Sequence, residues 1–487
     1  IIKNPKMMND KNTIKAENQN PKAHWGDLFR DGRSIYSVLI ILGVCLHALQ
    51  ILVIAIIMPT VVADIGGAGY YTWPAMLYTI GSIIGAACVG PLWNWLGVRL
   101  GYGASALAFL AGTIGCAFSP DMLLLNIFRG LQGLASGLVV GGGMVLISGL
   151  FNESLRKKML AAYQATWMAA QLLGPVMGGL FAQIDWWRGS FWSMVPIIVV
   201  FAFLALRYLP DQLPNEEKSD KKNHLPLFRL LILSGGVFCV ALAGRDNNIY
   251  FIFIMIVMSL FLICLAFKLD QRSKNKLYPS RALSIFSPVG LALWIILLVG
   301  MVYTTVPLLL PLLLQVVHGV DPIFVSLISL VISGGWTAGT FAVSGWNGAR
   351  ELVALRLGPI FMILGLIGVS ITAMQPLLVV LTVASFVMGF GMGMQNVHLI
   401  ARTMSQAVKG EERTTSSAMT SIRSLGTAFG AAIAGLVTNL AGLGNATTAS
   451  EVGPAVTAAY TFALIPLIMA TLMMFSLIRL TRPNATN

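Results

Sequence analysis

The sequence predicts an all-α polytopic membrane protein with 14 transmembrane helices. Of its 487 residues, 56% are hydrophobic and 10% are charged, a composition that excludes a water-soluble globular protein. Apolar stretches of about 20 residues, the length that spans the hydrocarbon core of a bilayer, recur along the chain. Polar loops separate these stretches, and their number and order define the predicted fold.

The predicted spans form three groups in chain order. The first six cover residues 35–61, 71–92, 101–118, 122–150, 160–184 and 191–208. Two more, at 230–244 and 249–267, lie between charged linkers, and the first of these two is short. The last six cover residues 288–314, 322–345, 357–374, 377–400, 416–440 and 455–478. This order predicts two six-helix halves with a two-helix insert between them.

We therefore expect five regions along the chain. They are a disordered cytoplasmic tail at 1–34, an N-terminal half at 35–209, linkers and insert at 210–286, a C-terminal half at 287–480 and a cytoplasmic tail at 481–487. The first 34 residues are polar and lack the apolar core of a secretory signal peptide. Glycine clusters in the fourth and twelfth spans, each before a charged loop, indicate related halves. Parallel repeats of six spans place a substrate site near the midplane, between the halves.

The distribution of basic residues predicts the orientation. Short loops rich in Lys and Arg stay on the cytoplasmic side. With the N-terminus inside, the cytoplasmic loops hold most of them, whereas the opposite loops hold Arg188 and Arg245. This asymmetry and a basic N-terminal tail account for the net charge of +13, so nucleic-acid binding is not needed to explain it. We expect a multi-pass protein of the bacterial cytoplasmic (inner) membrane, with both termini in the cytoplasm.

The sequence offers no pattern typical of an enzyme or a metal site. All 5 cysteines fall inside predicted spans, without a CxxC pair, and no histidines cluster at ligand spacing. A Ser-His-Asp set, a phosphate-binding loop and an appended soluble domain are also missing from the sequence. We therefore expect no enzyme activity, no bound metal and no cofactor, and we expect a monomer.

The fifth span carries the most informative motif, Gly174-Pro175 followed by Gly178-Gly179. Glycine and proline are normally excluded from helix interiors, but in membranes small residues let helix backbones approach closely, and neighbouring helices satisfy the groups that proline frees. Such a cluster predicts a tight, bendable helix contact, although long membrane helices also collect glycines for packing alone.

Other motifs occur in a consistent order along the chain. Arg129 and Gln132 precede Gly133 in the fourth span, and Arg423 lies in the thirteenth. The loop after the second span supplies Gly90, Asn94, Gly97 and Arg99. Over about residues 36–480, these motifs resemble those of the major facilitator superfamily, and within it the 14-helix drug:proton antiporter group that includes multidrug exporters. One departure is Asn94, which stands where the family pattern has Asp.

The resemblance implies a major facilitator fold that exposes its substrate site alternately to the two faces of the membrane. It associates the fifth-span motif with exporters and implies that residues 174–179 allow the helices to slide. It also implies that Arg129 and Gln132 take part in proton coupling, and that the loop motif with Asn94 acts in the conformational change.

A second departure concerns the group that carries the proton. The antiporter group usually has an acidic residue in the first span, where this chain has Gln50 ahead of Pro59. Every Asp and Glu falls in a loop, a tail or at a helix end. A buried carboxylate is the usual titrating group of a proton-coupled transporter. The remaining candidates for the titrating group are His47, because an ordinary histidine titrates near neutral pH, and Asp121. His47 is alternatively a polar residue hydrogen-bonded to a neighbouring helix.

Arg129 is the principal candidate site residue. A guanidinium inside a membrane faces a cavity or pairs internally, because an uncompensated charge there is costly. Three roles remain open for Arg129: proton coupling, binding of an anionic group on the substrate, and a structural role with backbone carbonyls and Gln132. Mixed aromatic and amide side chains suit an amphipathic organic substrate. Candidate cavity-lining residues, which packing or lipid contact would also explain, are Tyr78, Trp167, Gln171, Trp294, Tyr303, Trp336, Gln395 and Asn396.

These observations favour a secondary transporter that exports amphipathic organic compounds in exchange for protons. Its expected partners are a small organic substrate, protons and the lipid bilayer, and the proton gradient is the expected energy source. The alternative is import or export of an anionic metabolite, such as a carboxylate-type siderophore, with Arg129 as its counter-charge. The missing first-span acid favours this alternative, and the fifth-span motif opposes it.

Overall fold

A computed structural model describes residues 24–30, 33–212, 227–246, 248–273, 276–446 and 448–481. The predicted terminal tails and part of the linker ahead of the insert lie largely outside these residues. Within them the regular structure is helical, with no strand, as the all-α prediction requires. The α-helices are α1 (Ser34–Ile65), α2 (Trp73–Phe118), α3 (Met122–Leu150), α4 (Glu153–Gln183), α5 (Trp187–Trp192), α6 (Val195–Tyr208), α7 (Leu227–Ala243), α8 (Ile249–Arg272), α9 (Pro288–Leu312), α10 (Pro322–Val343), α11 (Ala349–Thr372), α12 (Leu378–Ser405), α13 (Glu412–Leu440) and α14 (Ala449–Leu480).

The helices confirm a multi-pass membrane protein, with a span count close to the prediction. Eleven helical stretches of the described chain are long and apolar enough to cross a bilayer. The predicted 14 exceed this number for three reasons. The second and third predicted spans both lie in α2, α7 has 17 residues, and the polar Gln164 and Gln171 interrupt the apolar surface of α4.

Gly97 divides α2 into two segments. Its φ of 78° is in the left-handed region, which glycine adopts without the steric cost of a Cβ. The turn is held against the chain beyond α6, because Val98 N donates to the Asp211 carbonyl at 3.1 Å. Arg99 Nε donates to the Leu209 carbonyl at 2.7 Å and lies 3.3 Å from the Asp211 carboxylate. The predicted loop motif therefore ties this turn to the end of α6.

Glycines bring equivalent helices of the two halves into backbone contact. A Cβ added at Gly133 of α3 would lie 2.1 Å from the Tyr78 carbonyl oxygen of α2. A Cβ added at Gly393 of α12 would lie 2.1 Å from the Trp336 carbonyl oxygen of α10. These helices are the second and fourth predicted spans of each half. The same close packing of helix backbones is thus used twice.

Contacts between the halves lie where α4 ends and α10 begins, which we call the α4–α10 end. Four hydrogen bonds between described residues join the halves there: Gln315 Nε2 to the Ile56 carbonyl (3.0 Å), Ser326 Oγ to the Pro175 carbonyl (2.7 Å), Ile323 N to Gln183 Oε1 (3.4 Å) and Asn439 Nδ2 to the Gly69 carbonyl (2.7 Å). The halves are therefore joined at this end by neutral hydrogen bonds.

The insert, α7 and α8, packs against both halves. Phe238 of α7 contacts Trp73 of α2 edge to face, with ring centroids 5.4 Å apart. Just beyond α7, a Cβ on Gly244 would lie 2.7 Å from Leu436 Cα of α13. The insert therefore covers the seam between α2 and α13 near the α4–α10 end.

Candidate functional site

Arg129 is completely buried in α3, surrounded by hydrogen-bond acceptors. Its Nε donates to the Pro74 carbonyl at 3.2 Å, and Nη2 donates to the Gln50 carbonyl at 3.3 Å. Nη1 donates to Gln132 Oε1 and, at 3.4 Å, to Gln50 Oε1. No carboxylate among the described residues pairs with it. Neutral oxygens from α1, α2 and α3 therefore compensate this charge.

Gln132 is held in place by the second segment of α2. Its Nε2 donates to Thr113 Oγ1 at 2.8 Å, and both side chains are fully buried. Gly112 allows this approach, since a Cβ there would lie 2.9 Å from Gln132 Cα. The predicted pairing of Arg129 with Gln132 is thus part of a chain of side chains that joins three helices.

Tyr78 connects Arg129 to His47. The guanidinium carbon lies 4.2 Å from the centre of the Tyr78 ring, an arrangement in which the ring face stabilises the cation. The Tyr78 hydroxyl lies 2.7 Å from Ser136 Oγ and 3.1 Å from His47 Nδ1, which is itself 2.5 Å from Ser136 Oγ. The three groups form a hydrogen-bonded triangle, which we call the His47 triangle. Trp167 of α4 contacts the imidazole edge to face, at 5.6 Å between ring centres.

The structure thus brings together six of the residues singled out from the sequence: His47, Gln50, Tyr78, Arg129, Gln132 and Trp167. Asp121 lies elsewhere, at the start of α3, where its Oδ1 accepts a hydrogen bond from Leu124 N at 2.8 Å and caps the helix. Sequence reasoning missed Thr113 and Ser136, which complete the hydrogen bonds of Gln132 and His47. Small hydroxyl residues inside apolar spans were the available signal.

Asp64, near the end of α1, is held by two partners. Its Oδ2 accepts a hydrogen bond from Trp187 Nε1 at 3.0 Å and pairs with Arg188. Arg188 Nη2 also donates to the Ser119 carbonyl at 3.1 Å. This carboxylate therefore joins the ends of α1, α2 and α5, away from the His47 triangle.

A second polar group lies in the C-terminal half, between α9, α12 and α13. Arg423 is half-buried, and its Nη2 donates to Asn396 Oδ1 at 2.8 Å. Gln395 is buried next to them, with Nε2 3.0 Å from Met362 Sδ and no hydrogen-bond partner for Oε1. These three polar residues line one small cavity, which we call the Arg423 recess.

The other candidate cavity residues are dispersed. Tyr303 of α9 and Trp336 of α10 contact each other edge to face, with ring centres 4.8 Å apart. Trp294 is near the start of α9, where its Nε1 donates to the Leu283 carbonyl at 3.2 Å. Gln171 is half-buried on α4. None of these contacts reaches a residue of the His47 triangle.

The glycine motif of α4 contacts both neighbouring helices. A Cβ at Gly174 would lie 2.7 Å from Leu52 Cβ, and one at Gly178 would lie 2.9 Å from Ile56 Cβ, both in α1. A Cβ at Gly179 would lie 2.0 Å from Ser326 Oγ of α10. The missing side chains therefore let α4 pack closely against α1 and against the other half.

The motif that follows the second predicted span makes no such close contact at its first positions. Gly90 has no atom within 4 Å of an added Cβ, and Asn94 is exposed.

Comparisons with known proteins agree with this architecture. The Major Facilitator Superfamily model matches residues 40–431. A “Probable multidrug-efflux transporter” of Mycobacterium tuberculosis is 29% identical over 420 residues, covering 83% of this chain and 88% of the relative. “Multidrug resistance protein 3” of Bacillus subtilis is 24% identical over 418 residues, covering 82% and 78% of the two chains.

Solved structures support the same fold. A D-xylose-proton symporter aligns with a TM-score of 0.59 at 15% identity, over 89% of this chain and 97% of the other. A nucleoside transporter aligns with a TM-score of 0.61 at 10% identity, over 93% and 100% of the two chains. Identities this low show the fold alone. The family match over most of the chain and the shared helical architecture establish that this protein belongs to the Major Facilitator Superfamily of membrane transporters and resembles its drug exporters.

Proposed function

We propose that this protein is a secondary transporter that exports amphipathic organic compounds in exchange for protons. The observation that carries the proposal is the contact of the α4 glycine motif with α10, which joins the two halves at the α4–α10 end. In the proposed orientation, this end faces outward from the bacterial cytoplasmic membrane and both termini are cytoplasmic. Alternating access then requires this contact to open and re-form.

The chemistry of the contact suits a reversible closure. Its hydrogen bonds are neutral, and Ser326 Oγ is also within 3.0 Å of the Pro322 carbonyl of its own helix. When α10 separates from α4, this hydroxyl keeps a partner, so opening leaves few polar groups unsatisfied. A buried ion pair in the same place would make separation more costly.

Proton coupling in this proposal depends on the His47 triangle. Protonation of His47 would place a second positive charge beside Tyr78, whose ring also contacts Arg129. Because like charges in a desolvated site repel strongly, a proton on His47 and a cationic substrate nearby would exclude each other. Mutual exclusion of proton and substrate is the thermodynamic requirement of antiport. The energy source is then the proton gradient, no cofactor is needed, and a monomer suffices.

The two relatives named for multidrug efflux or resistance support export as the direction and organic compounds as the substrates. The alternative, in which Arg129 is the counter-charge for an anionic metabolite, has less geometric support. Its guanidinium is fully buried and already donates to Pro74, Gln50 and Gln132. A substrate anion would have to displace these acceptors.

The test is proton movement in proteoliposomes that contain the purified protein and an imposed pH gradient. Lipophilic cations, such as ethidium, and carboxylate-rich anions, such as citrate, are added in separate samples. Proton movement upon addition of the cation, and its loss in Arg129→Ala, supports the proposal. A response to the anions alone would overturn drug:proton antiport.

A further inference from the structure

The two arginines described above differ in their surroundings. Arg129 is fully buried and donates four hydrogen bonds to oxygens, whereas Arg423 is half-buried with a hydrogen bond to one side chain, Asn396. No carboxylate among the described residues lies within 4.0 Å of Arg423. An uncompensated guanidinium inside the spanning helices is costly unless it faces a cavity or an anionic partner. Arg423 therefore has more free donors than Arg129.

The groups around Arg423 complete an anion site. Asn396 Oδ1 accepts from Arg423, which leaves Nδ2 of the same amide available to donate. Gln395 is 1% exposed, and its Oε1 has no partner. Gln395 lines the recess beside Asn396. The guanidinium and the Asn396 amide therefore supply donors to one small volume.

The remaining walls of the recess are apolar. Val299 of α9 and Met392 and Leu399 of α12 line it together with the three polar residues. Val299 lies near the middle of α9 (Pro288–Leu312), and Arg423 lies 11 residues after the start of α13 (Glu412–Leu440), so the recess is well inside the helical bundle. A planar carboxylate matches the fork of a guanidinium in geometry as well as charge.

We infer that the Arg423 recess binds a carboxylate group of the transported compound, whose apolar body extends beyond the recess. The inference rests on the proposed transport function and specifies its substrates as amphipathic cations that also carry a carboxylate. Arg423 supplies the counter-charge, and the amide of Asn396 donates to the carboxylate. Arg129 lies in the N-terminal half, and its proposed role in proton coupling is separate from this site.

The test uses a matched pair of probes, a rhodamine with a free carboxylate and its methyl ester. Binding to detergent-solubilised full-length protein is followed by fluorescence anisotropy, which does not depend on transport. The wild type should bind the carboxylate about tenfold more tightly than the ester, as a difference of about 1.4 kcal/mol implies. Arg423→Ala should abolish this preference and change the affinity for the ester less than about twofold.

Two further variants control for folding and for nonspecific charge effects. Arg423→Gln keeps a long polar side chain without the charge and should behave like Arg423→Ala. Arg207→Ala removes an exposed arginine at the end of α6 and should keep the wild-type preference. An equal loss of affinity for both probes in Arg423→Ala and Arg423→Gln would overturn the inference. Equal affinity of the wild type for the carboxylate and the ester would also overturn it.

Transport of the same probes separates this inference from the proposed function. If the carboxylate probe binds through Arg423 but does not move in response to a pH gradient, proton-coupled export fails and the binding site stands. If both probes are exported equally by wild type and Arg423→Ala, export stands and the carboxylate site is refuted.

Discussion

Gly179 of α4 and Ser326 of α10 lie in direct contact across the two halves. A Cβ at Gly179 would lie 2.0 Å from Ser326 Oγ, and that hydroxyl donates to the Pro175 carbonyl at 2.7 Å. The separation is too short for any side chain at position 179 while the α4–α10 end is closed. The glycine is therefore required by the contact itself.

A leucine at position 179 should prevent closure of this end. Because its side chain must displace α10, we expect Gly179→Leu to lower pH-driven transport by at least about tenfold, the effect of about 1.4 kcal/mol on an equilibrium. The initial rate in proteoliposomes measures the effect. Gly334→Leu is the matched control, since an added Cβ at Gly334 of α10 has no atom within 4 Å. Equal rates in the two variants would contradict a role for this contact.

Gly178 tests the neighbouring contact with α1. A Cβ at this position would lie 2.9 Å from Ile56 Cβ and 3.2 Å from the Val53 carbonyl oxygen. We expect Gly178→Leu to block transport while leaving membrane insertion intact. Unchanged transport, measured at equal amounts of inserted protein, would show that the motif serves packing alone.

Removal of the Arg129 guanidinium should abolish transport without preventing insertion. Arg129→Ala leaves the oxygens of Gln50 and Gln132 without their donor and removes the cation from the Tyr78 ring. Arg129→Lys should also transport poorly, because a single ammonium cannot reproduce the bonds of a planar guanidinium to several acceptors. Uptake assays with protein quantified in the membrane give the comparison, and Arg207→Ala provides the control. Full activity in Arg129→Ala would exclude it as the principal site residue.

His47 should set the pH dependence of exchange. His47→Gln keeps a hydrogen-bonding side chain but cannot titrate, so transport driven by a pH gradient should fail while substrate counterflow continues. The transport rate should then no longer change with pH over the range in which the wild type responds. His318→Gln, at a histidine whose Nε2 lies 2.8 Å from the Ala373 carbonyl, should keep the wild-type profile. A wild-type profile in His47→Gln would assign the proton to another group.

Asp270 should be important for stability. It is 1% exposed at the end of α8, pairs with Arg229 of α7, and accepts hydrogen bonds from Leu277 N and Tyr278 N. Loss of one partner from a buried ion pair costs about 3–5 kcal/mol. We therefore expect Asp270→Ala to lower the unfolding temperature in detergent markedly. The exposed Asp321→Asn should change the stability by less than about 0.5 kcal/mol. Similar unfolding temperatures for the two variants would show that the pair is dispensable.

Length and apolarity predicted most of the fold, because a bilayer requires spans of fixed thickness with satisfied backbones. The predicted number of spans exceeds the observed number at α2, where two predicted spans lie in one helix. They are separated by the turn at Gly97, which uses a single residue with a positive φ. Conversely, one predicted span is divided into α5 and α6. The hydropathy pattern placed a break at 93–100, where the Gly97 turn lies, but it could not show that the turn needs only one non-helical residue.

The candidate site was predicted in part. His47, Gln50, Arg129 and Gln132 were identifiable because polar residues in apolar spans are costly and therefore informative. Their shared location could not be derived, since the rotation of each helix about its axis is set by packing. Asp121 had a simpler signal: an Asp directly before an apolar helix is a preferred N-cap, and this is how the structure uses it.

The insert also bears on how a hydrophobic compound dissolved in the membrane reaches the protein. Phe238 lies against Trp73, and Gly244 lies against Leu436, on opposite sides of the seam between α2 and α13. Acyl chains are thereby kept away from this seam near the α4–α10 end. The insert thus separates this seam from the bilayer. Lateral entry of a compound from the lipid at this place would require the insert to move first.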